Sequence, residues 1–210
     1  MDKNFRMFRW YSTLALVTLL AGCAGVSEIA PSPEKPVRSA QQESFLRSGH
    51  ACCNLHYDGD AISDSNFAQL PFIPAGTPIN VRKIDGHRVS LDINGRAMQM
   101  TLDHGRKQET IEQWLSKLVV ADDPRGRLAG YPPATRSAIE SGRLMKGMTR
   151  DQVIMSVGYP QASDGRRLGA SYWRYWWSSF APFYVYWKGD KVSKIDGHSD
   201  TVASMTYTGK

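Results

Sequence analysis

Runs of basic residues, long apolar stretches and nucleophile motifs are all scarce in this 210-residue chain. The formal net charge is +6, but no block of Lys or Arg concentrates it. Composition therefore argues against nucleic-acid binding and gives slight support to contact with anionic surfaces. One apolar run, Leu14-Ala15-Leu16-Val17-Thr18-Leu19-Leu20, falls short of the roughly 20 residues that span a bilayer, and no second run is long enough. No Ser or Cys stands in an elbow or triad pattern, so the sequence argues against an enzyme and implies no cofactor. Asp58, Asp60 and Asp64 lie close together, yet the stretch lacks the Gly and Glu positions of an EF-hand loop. They read as a polar turn.

What is present begins at the amino end. Lys3, Arg6 and Arg9 precede the short apolar run, and Ala21-Gly22-Cys23 follows it. A positive segment, an apolar core and small residues are the order of a secretory signal. The cysteine placed directly after Ala-Gly resembles the lipobox of bacterial lipoproteins. That resemblance implies removal of residues 1–22 and lipid on Cys23. Acyl chains bind bilayers with roughly 0.8 kcal/mol per buried CH₂. In such lipoproteins an acidic residue after the cysteine favours retention at the inner membrane. Here Ala24 and Gly25 follow, so the resemblance points to the periplasmic face of an outer membrane. Without the signal the balance is 23 basic to 19 acidic residues, or +4.

Residues 23–45 read as anchor and tether, because Ala30-Pro31-Ser32-Pro33-Glu34-Lys35-Pro36 has almost nothing to bury. Residues 46–130 read as a first folded unit. Asp85-Gly86 and Asn94-Gly95 separate three alternating segments, and such pairs suit type I′ turns, which need positive φ. The expectation is an antiparallel β-meander. Ile111, Trp114, Leu115 and Leu118 recur at helical spacing, predicting a covering helix near 108–120.

Residues 131–210 read as a second unit. A short helix is expected between Pro132-Pro133 and Gly142. Thr149 and Gln152 fit a capping box for a helix whose apolar stripe is Val153, Ile154 and Val157, closed by Gly158-Tyr159-Pro160. Strands are expected at 171–177, 183–188 and 191–195, with a possible fourth at 202–207. The fold class is α+β.

The order Gly147-Met148-Thr149, Gln152-Val153, Gly158-x-Pro160, then Trp173, with Lys194-Ile195-Asp196-Gly197 at the end, resembles the BamE (SmpA/OmlA) family of outer-membrane lipoproteins. The likeness covers residues 134–200. It implies two helices followed by a three-stranded antiparallel sheet, no catalytic residues, and a binding or scaffold role in envelope or outer-membrane protein assembly. Partners would be the membrane itself, through the anchor, and assembly proteins or lipids. Family members lack a counterpart of the 46–130 unit.

Two constellations remain. His50-Ala51-Cys52-Cys53-Asn54-Leu55-His56 offers two imidazoles and two thiols, a legitimate zinc or copper set. Adjacent thiolates diverge, however, and an oxidising compartment favours a disulfide between Cys52 and Cys53. Metal or small-ligand binding by His50, Cys52, Cys53 and His56 is the alternative. In the aromatic strand, Tyr172, Arg174 and Trp176 share one face, and Trp173, Tyr175 and Trp177 the other. Two helices cover only one face of a small sheet, so one set is expected to meet a partner or the first unit.

Overall fold

Asn94-Gly95 and its neighbours build the centre of the larger sheet. The computed structural model describes residues 48–105, 107–160 and 168–209; the signal, Cys23 and the tether lie outside the described residues. From Ser48 the elements are β1 (Ser48–Ala51), β2 (Leu55–His56), β3 (Ala61–Ser63), β4 (Phe72–Ile73), β5 (Pro78–Asp85), β6 (Arg88–Ile93), β7 (Arg96–Thr101), α1 (Ile111–Leu118) and β8 (Val119–Val120). They continue with α2 (Arg125–Ala129), α3 (Pro133–Glu140), α4 (Arg150–Val157), β9 (Tyr172–Ser178), β10 (Ala181–Lys188), β11 (Lys191–Gly197) and α5 (Ser199–Met205). The fold is mixed α+β.

The β5–β6–β7 meander is present, but it is the middle of a six-stranded sheet ordered β3-β7-β6-β5-β1-β8, with β3 parallel to β7. The sequence reading missed β1, β3 and β8 because each is four residues or fewer, too short for a period-two signal. Asn94 and Gly95 both take positive φ, 52° and 82°, as a type I′ turn requires. At the other hairpin Asp85 pairs with Arg88, so the loop is Gly86-His87. Only Gly86 is left-handed there, which departs from the expected I′ turn.

α1 starts at Thr110, whose side chain accepts from the Gln113 N–H while Gln113 Oε1 accepts from the Thr110 N–H. Its buried Ile111, Trp114, Leu115 and Leu118 join Val89, Leu91 and Met100 in the first core. Thr149 and Gln152 form the same reciprocal pair at α4, with bonds of 3.2 and 2.8 Å. The expected stripe on α4 needs correction. Val153, Met155, Ser156 and Val157 are buried, and half-buried Ile154 packs against both cores. α4 is clasped between two cores, so its burial does not follow a one-sided pattern.

β9, β10 and β11 form a three-stranded antiparallel sheet in the order β11-β10-β9, against which α3 and α4 contribute Ala138, Ile139, Val153 and Val157 to the second core. The fourth strand expected at 202–207 is α5 instead. Thr201 and Met205, spaced i and i+4, are its buried residues, a helical period that the β-branched Val202 and Thr206 obscured. Only a single bridge, Leu144 to Thr206, remains of strand pairing there.

The boundary expected near residue 130 falls between two cores that lie in one compact unit. A polar seam joins them. Asn54, 2 % exposed, donates from Nδ2 to the carbonyls of Ile139 (2.7 Å) and Ser156 (2.9 Å). Its N–H donates to Met155 O, and its Oδ1 accepts from the Ala75 N–H. Asn66 Nδ2 donates to Val157 O at 2.7 Å, and Gly158 is tight against that amide: a Cβ there would lie 2.8 Å from Asn66 Nδ2. Farther along, the Ala68 and Gln69 N–H groups donate to Trp176 O and Trp177 O.

Two substitutions test this account by urea unfolding. Thr149→Ala should cost about 1 kcal/mol, the usual loss of an N-cap hydroxyl. Asn54→Ala should cost more, about 3 kcal/mol, because it strands the buried Ala75 N–H and the Ser156 carbonyl and removes one of the bonds to the Ile139 carbonyl. Equal effects at the two positions would contradict the seam's role.

Candidate functional site

Cys52 and Cys53 are bonded to each other in the turn between β1 and β2, and Cys53 is fully buried. The thiols are thereby removed from any metal set. The two imidazoles also look elsewhere: His50 Nδ1 lies 3.3 Å from Ala121 O, and His56 Nδ1 lies 3.0 Å from Asn66 Oδ1. Among the described residues no group of three His, Cys, Asp or Glu could hold a metal ion. In this arrangement His50, Cys52, Cys53 and His56 do not converge as one ligand set.

Asp64 also departs from the expected polar turn. It is buried, and its carboxylate accepts from the N–H groups of Asp103, His104 and Gly105. That closes the loop between β7 and α1.

The three-stranded sheet separates its aromatic residues by face. Trp173 and Tyr175, at 1 % and 3 % exposure, point into the second core and leave the candidate interaction surface. Tyr175 stacks on Phe183 at 5.5 Å and donates to Gly158 O, and burial pushes its hydroxyl well above the ordinary range. Trp177, half-buried, packs against the same core; it sits at the register shift between β9 and β10.

The opposite face carries Tyr172, Arg174 and Trp176, all half-buried. Register sets Pro182 beside Trp176, Tyr184 between Arg174 and Asp196, and Tyr186 between Tyr172 and Lys194. Tyr172 stacks on Tyr186 at 5.5 Å and meets Tyr184 edge-on at 5.9 Å. The Arg174 guanidinium lies 5.0 Å from the Trp176 ring centre, and the Lys194 ammonium 5.9 Å from that of Tyr186. Ring faces are therefore largely engaged with one another or with cations. Ring edges, hydroxyls and charged heads are what this surface presents. At its end, in the β9–β10 turn, Phe180 is 94 % exposed.

Arg150 locks the far end of the sheet. Its guanidinium stands 4.4 Å from the Trp187 ring centre and 5.0 Å from that of Trp173. It donates to the carbonyls of Leu168 and Ala170 at 2.6 and 2.9 Å, with Asp190 at 3.6 Å. A planar fork held between rings and carbonyls is a role that Lys cannot fill.

A pocket opens in the seam, lined by His56, Asp64, Asn66, Glu109, Lys117 and Tyr159 among others. It holds about 30 Å³ of water-sized space, room for roughly two waters. Glu109 and Lys117 are ion-paired, and the Lys117 ammonium lies 5.4 Å from the Tyr159 ring centre. Burial raises the Tyr159 hydroxyl above its ordinary value, and burial lowers His56.

No family model, no curated protein and no solved structure matches this chain. Among the described residues, no helix is long and apolar enough to cross a membrane.

Phe180, Tyr184, Tyr186 and Lys194 were missed as surface residues by the sequence reading. Extending the alternation of 172–176 across the two following strands would have found all but Phe180, whose exposure depends on its place at a turn. The cysteine assignment is checked by mass. Alkylating the unfolded, unreduced chain should leave Cys52 and Cys53 unmodified, and reduction should add two adducts at that pair. Labelling before reduction would refute the bond.

Proposed function

We propose that this chain is a non-catalytic lipoprotein of the outer membrane, lipidated on Cys23 at the periplasmic face, that binds a protein partner in envelope or outer-membrane protein assembly. The BamE-like reading of the C-terminal half draws support from the order α3, α4, β9, β10, β11, which is the two-helix, three-strand order that the resemblance implies. Thr149, Gln152, Gly158 and Trp173 occupy the cap, helix end and core that such a motif requires.

The observation that carries the binding role is the outer face of that sheet, with Phe180 at its rim. A soluble surface rarely groups large aromatic residues without a use for them. Rings already braced against each other lose little freedom on docking, and Trp, Tyr and Arg dominate protein interfaces for that reason. Because Tyr172 and Tyr186 spend their faces on each other, the surface suits the edge-on and polar contacts of a protein better than the flat stacking of a sugar.

The reading is tested with photo-crosslinking side chains placed at Phe180 or Tyr184 in cells. Both should capture the same protein, whereas Ser90 on the polar face of the large sheet should capture none. Phe180→Ala and Trp176→Ala should each weaken the complex by about 2 kcal/mol, or about 30-fold. Cys23→Ser should release the chain from the membrane fraction. A surface that captures no more than Ser90 would defeat the proposal.

A further inference from the structure

We propose that His56 is a proton-operated latch on the seam between the two cores, holding them together while neutral and loosening them when protonated. The bonds around it fix its state. Asn66 Nδ2 donates to Val157 O, so Asn66 presents Oδ1 to the imidazole, and His56 Nδ1 must be the donor across 3.0 Å. A neutral ring with its proton on Nδ1 has an unprotonated Nε2. The chain His56 to Asn66 to Val157 therefore runs from β2 across the seam to the end of α4.

Protonation would place a charge on a residue only 2 % exposed. The ring has Phe72 of β4 edge-on at 5.6 Å. The charged and titratable groups around the pocket come from three places. Asp64 follows β3, and its carboxylate is already bonded to three backbone N–H groups. Glu109 and Lys117, before and within α1, neutralise each other. Tyr159 follows α4, with its ring against the Lys117 ammonium. Glu109 is paired with Lys117 through Oε2 and keeps a buried Oε1 without a hydrogen-bond partner, but burial is the largest influence on His56, so desolvation governs and lowers the histidine below its ordinary 6.5.

The sign follows from linkage. Above 6.5 the imidazole is neutral whether the seam is closed or open, and the seam is at full strength. Below that value the open state binds the proton and the closed state resists it. Closure then weakens by roughly tenfold per pH unit until the lowered value is reached. Opening would also free the β9 edge, since Ala68 and Gln69 donate to Trp176 and Trp177 from the same side of the seam.

The test is amide hydrogen exchange on the full chain, corrected for intrinsic rates, above and below about pH 6.5. Protection at Asn54, Ala68 and Gln69 should fall roughly tenfold per pH unit, while Leu91 in the middle of the large sheet changes less. His56→Asn, which keeps a donor near the Nδ1 position and cannot titrate, should abolish the fall. The ring-proton NMR titration of His56 in the unaltered protein supplies a second reading, expected below 6.5. Seam protection that ignores pH, a fall that persists in His56→Asn, or a His56 titrating at or above 6.5 would each overturn the proposal.

Discussion

Asn54 is the group on which the arrangement of the two cores depends. A buried amide is costly unless every donor and acceptor is used, and this one uses all of them. Its backbone N–H and both side-chain functions reach Met155, Ile139, Ser156 and Ala75. Three of those partners lie in α3 and α4, and the fourth lies in the loop after β4. Apolar contact alone would let α4 slide or rotate between the cores, because Ile154 packs against both. Directed hydrogen bonds choose one position.

From that fixed α4 the rest of the C-terminal half follows. Its first residue, Arg150, reaches the rings of Trp173 and Trp187. Its end at Gly158 accepts from Tyr175 and abuts Asn66. The first half of β9 is thus referred to one helix. Neighbouring backbone does the rest: the 68–69 segment covers the free side of β9, and the 147–148 segment bonds Val192 of β11. Covered edges discourage nonspecific strand pairing. The outer face of the sheet is then the surface through which this half can offer aromatic side chains.

Local chemistry was the legible part of the chain. Thr149 with Gln152, Asn94 with Gly95, and the i, i+3, i+4 spacing of Ile111, Trp114 and Leu115 each carry their structure within a few residues. The adjacency of Cys52 and Cys53 likewise pointed to their bond. What could not be read were pairings between distant segments. β3 joins β7 in parallel across 38 residues of chain, and neither strand alone announces the other. Likewise His56 looked like a metal ligand because Cys52 and Cys53 stand beside it in sequence. Its actual partner, Asn66, has no motif. The two faces of 172–177 were legible as faces, but choosing the buried one required knowing that Phe183 and Val185 flank Tyr175 and Trp173.

That choice decides what the surface can recognise. Had Trp173 and Tyr175 faced outward, the sheet would expose ring planes beside Arg150, a setting for stacking on flat ligands or cations. Instead those planes are consumed in the core, and the outer rings brace one another. Tyr184 is left between a guanidinium and a carboxylate, Arg174 and Asp196. Asp196 is ion-paired with Lys194 at 3.0 Å, so charges of both signs stand beside Tyr184, an arrangement that a protein face carrying both signs can complement. Which side chains this face presents thus follows from the alternation that buried Trp173, acting through the seam that holds α4 beneath it.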